Sequence, residues 1–565
     1  MDPNGFRDRA IVQVKAYHDR SKHQLNRYAR SLEYLDWATQ PNPFRRFEGA
    51  PSVALRHPTV SNEPIYDELF EGGVGGGTTS SPSRIDHKSI SELFYYSLAI
   101  SAWKQASNTA RWSLRVNPSS GDLHPTEAYL ICGGVPDLAL KPGVFHYSPD
   151  HHALERRLTF SESDWRGLSK GLLPDSFLIL LTSIYWRESW KYGERAFRYC
   201  HHDVGHAIGA VTIAAATLGW HVRLAAEVSD DALEMLAGLQ QQHGPEAEHP
   251  DCLLIVSPTA DEGNASSFRL SDELRARLCD GEFEGEPNRL SKAQHAWPII
   301  DTVNESTRHE ESVSLRFNHK TTTTTQQSET ICVLASRPVS AREIIRRRRS
   351  AVAMDGQTSI DRTMFFHMLA RVTPASFPFK VIPWSPRTSL AIFIHRVAGL
   401  PCGLYMLVRD PRHESSLVDA LHREYLWQKP GGCPKGLRLY LLEEGDMRQP
   451  SKVISCHQDI ASDGAFSLGM LAEFEASLNG DGPSIYPRLF WETGLIGQVL
   501  YLEAEAAGIR ATGIGCFFDD VMHEVLGIED HAWQSLYHFT VGGAVDDPRL
   551  QTLPPYSHLN EGDSP

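Results

Sequence analysis

The sequence predicts an α+β fold built from two copies of one unit, and three observations carry that prediction. An apolar, alanine- and glycine-containing segment from Asp203 to Gly219 recurs in outline from Glu492 to Gly508. Three glycine pairs keep one spacing, since 494 − 205, 508 − 219 and 527 − 238 all equal 289. The acid pairs Asp230-Asp231 and Asp519-Asp520 hold the same spacing. A shared spacing in glycines, acids and apolar pattern together is the mark of an internal repeat.

Each copy reads in the same order. The apolar segment is long enough for a buried helix, and Gly219 or Gly508 stands where a left-handed C-cap belongs. A short extended piece follows, over 220–226 and 509–515. The acidic residues after it favour a helix N-terminus. A strand-like run closes each copy, Cys252 to Val256 and Leu536 to Val541. Helix, strand, helix, strand is an α+β layer order. The chain divides into an N-terminal extension with a Gly-rich loop (1–84), a first domain (85–260), a polar linker (261–339) and a second domain (340–565). The linker contains the tract Thr321 to Thr325 and shows no apolar periodicity, so it reads as partly disordered. The Gly72 to Gly77 run lacks the Lys-Ser/Thr of a phosphate loop and reads as an ordinary loop.

Composition bounds the function. The 565 residues are 41% hydrophobic and 22% charged, which suits globular domains with large cores. Lys plus Arg total 55 against 70 for Asp plus Glu, a net charge of −15 that argues against nucleic-acid binding. No apolar run is long enough for a membrane helix, and the first residues lack a signal-peptide pattern. Nine scattered cysteines without a Cys-x-x-Cys spacing argue against a disulfide framework. A cytoplasmic location is expected.

Four segments could carry chemistry. Arg115 to Tyr129 includes Pro118-Ser119-Ser120-Gly121-Asp122 and His124, a hydroxyl-rich turn whose amides suit a heteroatom-rich ring or a phosphate. Arg346 to Ser350 offers guanidinium forks and a hydroxyl, the groups that grip phosphate. Lys191-Tyr192 supplies two groups for proton transfer. His202 and His206 imitate a zinc helix, but Asp203 is a short base and the second copy has Trp491 and Leu495 there, so packed histidines are expected rather than metal.

Together these segments resemble the SagB-type dehydrogenases, the azoline-oxidising branch of the nitroreductase superfamily. Arg115 to Tyr129 looks like that branch's signature, and Arg348-Arg349-Ser350 like the superfamily's flavin-phosphate motif. Lys191 and Tyr192 resemble the catalytic Lys-Tyr pair. Gly513-Ile514-Gly515 and Arg549 resemble the C-terminal flavin contacts. The resemblance implies FMN and tandem nitroreductase-like domains forming an intramolecular pseudo-dimer. One site would combine Arg348, Arg349, Ser350, Gly513, Ile514, Gly515 and Arg549 of the second copy with Pro118, Ser119, Ser120, Asp122 and His124 of the first. The reciprocal site looks damaged: Pro383-Trp384-Ser385-Pro386 replaces the hydroxyl turn, Leu224-Ala225-Ala226 replaces the glycines, and only Arg20-Ser21-Lys22 approaches the arginine motif. Two departures stand out: Val352 where a third basic residue is common, and Asp122 where Asn is usual. The implied activity is oxidation of a peptide azoline to an azole, with hydride passing between substrate and flavin. The alternatives are an NAD(P)H-dependent nitro or quinone reductase and a scaffold that has lost catalysis. The expected partners are a small molecule or modified peptide, with no nucleic acid and no membrane.

Overall fold

The structure is a computed structural model that describes residues 3–59, 63–71, 81–106, 110–260, 268–279, 281–310 and 338–561. The Gly72–Gly77 run and the Thr321–Thr325 tract lie outside the described residues.

Two antiparallel sheets form the halves. The first contains β1 (Ser52–Ala54), β2 (Thr126–Cys132), β3 (Gly143–Ser148), β4 (Ala153–Thr159), β5 (Phe177–Ser183), β6 (His221–Leu224) and β7 (His249–Ser257), in the order β1-β4-β3-β2-β5-β7-β6. The second contains β8 (Thr388–Ile394), β9 (Gly403–Leu407), β10 (Leu439–Glu444), β11 (Phe466–Glu473), β12 (Arg510–Ile514) and β13 (Trp533–Gly542), ordered β10-β9-β8-β11-β13-β12. Apart from the added edge strand β1, the two orders are the same. Four of the seven strands of the first sheet (β2, β3, β5 and β7) are shielded from solvent along nearly their whole length, which explains why they read as continuous apolar runs rather than alternating ones.

The helices repeat as well. Among them are α1 (Pro3–Arg20), α2 (Tyr185–Tyr192), α3 (Ala196–Ala216), α4 (Asp230–Ala237), α5 (Ala341–Arg347), α6 (Ile485–Ala506) and α7 (Asp519–Leu526). α3 and α6 begin 485 − 196 = 289 residues apart, and α4 and α7 begin 519 − 230 = 289 apart. The spacing read from the glycines is therefore the spacing of the fold.

The halves meet where α3 crosses α6. A Cβ built on Gly205 would lie 2.3 Å from the Trp491 carbonyl oxygen, and one on Gly494 would lie 2.2 Å from the His202 carbonyl oxygen. Both obstacles are backbone, so only glycine permits this approach. Around the crossing, Val204, Ala207 and Val211 of one helix share a single apolar core with Leu495, Val499 and Leu502 of the other. The same residue of each copy sits at the contact, as a two-fold interface requires.

The arms are exchanged. α1 lays Val14 and Tyr17 against Phe474, Leu478 and Tyr486 of the second half. The strand Gln551–Leu553 pairs with Ile100–Gln105 of the first half.

The segment expected as a featureless linker is partly folded. Residues 272–279 and 298–306 are helical, and Glu286–Pro287 pairs with Phe47–Glu48. Leu270, Leu274 and Leu278 recur at a four-residue spacing and bury against the first half. Trp297, Ile300 and Val303 recur at three and bury under α1. These short apolar sets are diluted by polar neighbours, which hides the period in a window long enough for a helix.

Gly494→Ala should force the two helices apart and cost about 1–3 kcal/mol or more. Gly431→Ala, at a position with nothing within 4 Å of the new methyl, should change stability by less than about 0.5 kcal/mol. Equal denaturation midpoints for the two variants would contradict the close crossing.

Candidate functional site at the seam

The first half contributes a strained turn. After the strand Arg111–Arg115, a short 3-10 turn covers Ser120–Asp122. Gly121, Asp122 and His124 all have positive φ, at 62°, 56° and 52°. Asp122 and His124 adopt this region at a cost, and local bonds hold them there. The His124 amide donates to Ser119 Oγ at 2.8 Å, and the Ser120 amide donates to Asp203 Oδ1 at 3.2 Å. The His124 ring lies within 3.1 Å of the Ser113 carbonyl oxygen, so His124 braces the turn from behind.

Lys191 and Tyr192 end α2 beside this turn. A Cβ on Gly121 would lie 2.6 Å from Tyr192 Oη and 3.0 Å from Lys191 Nζ. Gly121 is exposed, and Ser119, Ser120, Asp122, Lys191 and Tyr192 are half-buried, so the cluster opens to solvent.

The second half contributes the cations. Arg348 caps the C-terminus of α5 and is 3% exposed. Its Nε donates to the Val116 carbonyl at 3.2 Å and its Nη2 to the Arg115 carbonyl at 3.1 Å, both in the first half. Its Nη1 has no hydrogen-bond partner. Arg349 Nη2 donates to the Ser101 carbonyl at 3.0 Å. Ser350 is exposed, and its Oγ lies 2.9 Å from Tyr501 Oη, which also accepts the Gly513 amide at 2.9 Å. A Cβ on Gly513 would lie 1.9 Å from Tyr537 Oη, and one on Gly515 would lie 2.4 Å from the Tyr199 ring. Tyr537 and Tyr199 thus pack directly on these two glycines, and Ile514 between them in the chain is buried.

The electrostatics fit an anion. Burial, then Arg348, Arg346 and Arg510, push Arg349 down to about 9. Burial also lowers Arg348, although Tyr501 and Asp122 oppose this. Burial raises the Asp122 carboxyl to about 6, against the pull of Arg348 and Lys191. A desolvated arginine cluster with an unpaired guanidinium nitrogen is costly alone and is relieved by a bound phosphate. The residues present therefore fit the phosphate of a flavin nucleotide.

The structure leaves one expected residue outside. Arg549 is exposed and pairs with Asp547 at 2.7 Å, whereas Arg346 and Arg510 are the cations beside Arg348 and Arg349, Arg510 pairing with Glu505 at 3.3 Å. The Arg20-Ser21-Lys22 triplet is spent on other contacts: Arg20 pairs with Glu194, Ser21 accepts from Arg198, and Lys22 faces Asp520 at 3.2 Å. His202 and His206 are engaged by the Leu536 carbonyl and Tyr537 Oη, each at 3.1 Å. Across the pseudo-two-fold, a separate cleft is lined by Leu224, Ala226, Asp230, Arg488 and Trp491. Trp384 leans over Arg488 there, 5.8 Å from ring centroid to guanidinium.

Glu188 escaped the sequence reading, and Asp203 was read there only as a poor base for a zinc helix. Glu188 is fully buried and neither carboxyl oxygen has a hydrogen-bond partner. Burial, and then Asp203, raise it well above the usual carboxylate range, while Lys191 opposes. Burial also raises Asp203, although Ser119 and Ser120 oppose. Burial thus pushes both toward the protonated form. Glu188 lies one turn before Lys191 on α2, a spacing that is visible in the sequence but common in any helix.

A carboxyl raised in the folded state adds stability that is full below its unfolded value, about 4, and is lost as pH rises. Asp203→Asn does not titrate, so the stability of the native protein relative to this variant should fall between about pH 5 and about pH 8.5. Denaturant titrations at both pH values measure it, and parallel profiles would contradict a protonated Asp203.

The comparisons with known proteins agree with this architecture. Residues 438–543, which span β10 to β13, match the nitroreductase family. A nitroreductase-like protein of Methanocaldococcus jannaschii, MJ1384, is 32% identical over 108 residues, 18% of this chain and 52% of its own length. The trifolitoxin-processing protein TfxB of Rhizobium leguminosarum bv. trifolii is 27% identical over 148 residues, 24% of this chain and 39% of its own. The matched stretches thus span about half, or less, of these relatives. The crystal structure of a nitroreductase-like protein from Anabaena variabilis superposes with a TM-score of 0.66 at 20% identity, covering 94% of this chain and 99% of that one. Among the described residues no helix is long and apolar enough to cross a membrane. The chain is a tandem of two nitroreductase-fold units, the second of which carries a nitroreductase-family domain.

Proposed function

We propose that the chain is an FMN-dependent oxidoreductase of the SagB-type dehydrogenase kind, with one flavin held at the seam. The observation that carries this reading is the buried Arg348, given by one half, bonded to the strand end that leads into the turn of the other, and left with a free Nη1. The fold and the nitroreductase-family stretch support it. When bound, FMN supplies the two-electron redox step, exchanging a hydride equivalent with a substrate carbon.

The chain's own residues do the rest. Arg348, Arg349 and Ser350, with Arg510, hold the phosphate, where Val352 offers nothing because it points to solvent. Ser119 and Ser120, whose turn is tied to Asp203 and to the His124 amide, would meet the flavin ring, and Pro118 and Asp122 set the turn around them. Gly513, Ile514 and Gly515 form the opposite wall, and Arg549 takes no part. Lys191 and Tyr192 stand at the open mouth, where one of them moves the proton that accompanies the hydride. Glu188 and Asp203, both pushed toward the protonated form by burial, lie buried near them.

The substrate proposed is a thiazoline or oxazoline ring in a peptide, which becomes aromatic by losing a hydride and a proton. The likeness to TfxB, a toxin-processing protein, supports a peptide substrate. An NAD(P)H-driven nitro or quinone reductase uses the same site with a different electron donor, and the names of the nitroreductase-like relatives support that second reading.

Arg348→Ala should weaken FMN binding by about 10- to 100-fold, the worth of a charge-assisted bond. Lys191→Met should keep its yellow colour and lose about 100-fold or more in turnover. Absorption spectra and rates with an azoline peptide and with NADPH measure both effects. Full flavin content in Arg348→Ala would overturn the seam site. Bleaching of the flavin by NADPH but not by the azoline peptide would favour the reductase.

A further inference from the structure

Beside the seam lies a pair of thiols that the flavin reading does not use. Cys456 follows the short helix Arg448–Ile454, and Cys516 follows β12 directly after Gly515. Their Sγ atoms are 2.8 Å apart, and both residues are half-buried, so the pair is reachable from solvent. Of the other described cysteines, Cys132, Cys200 and Cys252 are buried, Cys433 is half-buried and Cys402 is exposed.

The surroundings prepare one thiol for attack. The Ala29 amide donates to His23 Nδ1 at 2.9 Å, which places the neutral ring's proton on Nε2. His23 faces the Cys516 thiol, and Arg195 lies near, donating to the Gly515 carbonyl at 3.3 Å. Cys456, His23 and Arg195 hold the Cys516 thiol below its ordinary value against the effect of burial. Asp519 is the opposing charge, but Arg195 and Arg198 pair with it at 2.9 and 2.7 Å. Tyr28 faces Cys456. Cys456 and His457 both have positive φ, at 54° and 59°, so the loop holds a strained conformation that turns the thiol toward its neighbour.

We propose that Cys456 and Cys516 form a reversible dithiol–disulfide couple that exchanges with a low-molecular-weight disulfide. The Cys516 thiolate attacks one sulfur of the disulfide RSSR. That S–S bond breaks, a Cys516–SR bond forms, and RS⁻ leaves and takes up a proton. Cys456 then gives its proton to solvent and attacks Cys516 Sγ, forming the Cys456–Cys516 bond and expelling the second RS⁻. The protein loses two electrons and two protons, one when Cys516 ionises and one from Cys456, and RSSR becomes two RSH. Exchange of this kind is favoured by a stabilised thiolate with a second thiol in reach. The couple does not depend on flavin. It adjoins the crevice all the same, because Gly515 abuts the Tyr199 ring and Tyr199 meets Tyr192 edge-on at 4.6 Å.

The test equilibrates the full-length protein with glutathione disulfide, blocks remaining thiols by alkylation and maps peptides by mass spectrometry. The expected result is one cross-linked peptide pair joining Cys456 to Cys516, reversed by dithiothreitol. Cys456→Ser should instead trap a glutathione adduct on Cys516. Recovery of both cysteines as alkylated peptides from the native protein would overturn the proposal. So would an adduct in Cys456→Ser that falls on other cysteines and spares Cys516.

Discussion

The close crossing of α3 and α6 is the constraint on which the rest of the structure depends. Gly205 and Gly494 let two backbones touch where any side chain would collide with a carbonyl oxygen. The contact joins equivalent points of the two copies, so it sets a pseudo-two-fold axis and fixes where every other part lies. Once the helices are this close, the turn at 118–124 of one half meets the end of α5 from the other. The exchanged arms, α1 and the strand Gln551–Leu553, then clasp the halves from opposite sides. Separating the halves would expose the apolar faces of both long helices, a cost far larger than any single contact at the seam.

The site at the seam is held by charge as much as by shape. Arg348 gives up water to bond two carbonyls of the first half, and it retains one nitrogen with nothing to bind. Two other buried acids respond in opposite ways. Asp519, gripped by Arg195 and Arg198, stays ionised, because two guanidinium groups outweigh the penalty of burial. Glu188 has no such partner, and burial pushes it toward the protonated form. Burial thus yields a fixed anion in one place and a proton reserve in another, and the difference is the presence of arginine.

Much of this was legible in the sequence. The duplication was, because glycines and acids at one spacing reflect backbone needs that substitution does not easily relax. The turn from Pro118 to His124 was, because prolines, hydroxyls and glycine leave few other conformations. Lys191 and Tyr192 were legible as a pair, and the structure brings them to that turn. Other features were hidden. Glu188 and Asp203 are ordinary helix residues until the fold buries them, and Arg510 looks like any strand-end cation until β12 aligns it with Arg349. Arg549 was placed by resemblance at a position near the C-terminus, where a two-residue turn with Asp547 satisfies it locally. The helices within 268–310 rest on three apolar contacts each, too few to show a period in the sequence.

The asymmetry of the two halves is the central claim: only one combination of their parts makes a complete cradle. Counting released flavin against protein in fully loaded preparations tests it most directly. One FMN per chain is the value that follows from a single cradle at the seam. Two per chain would show that the cleft beside Trp384 and Arg488 serves equally well, and none after reconstitution with excess FMN would show that neither does.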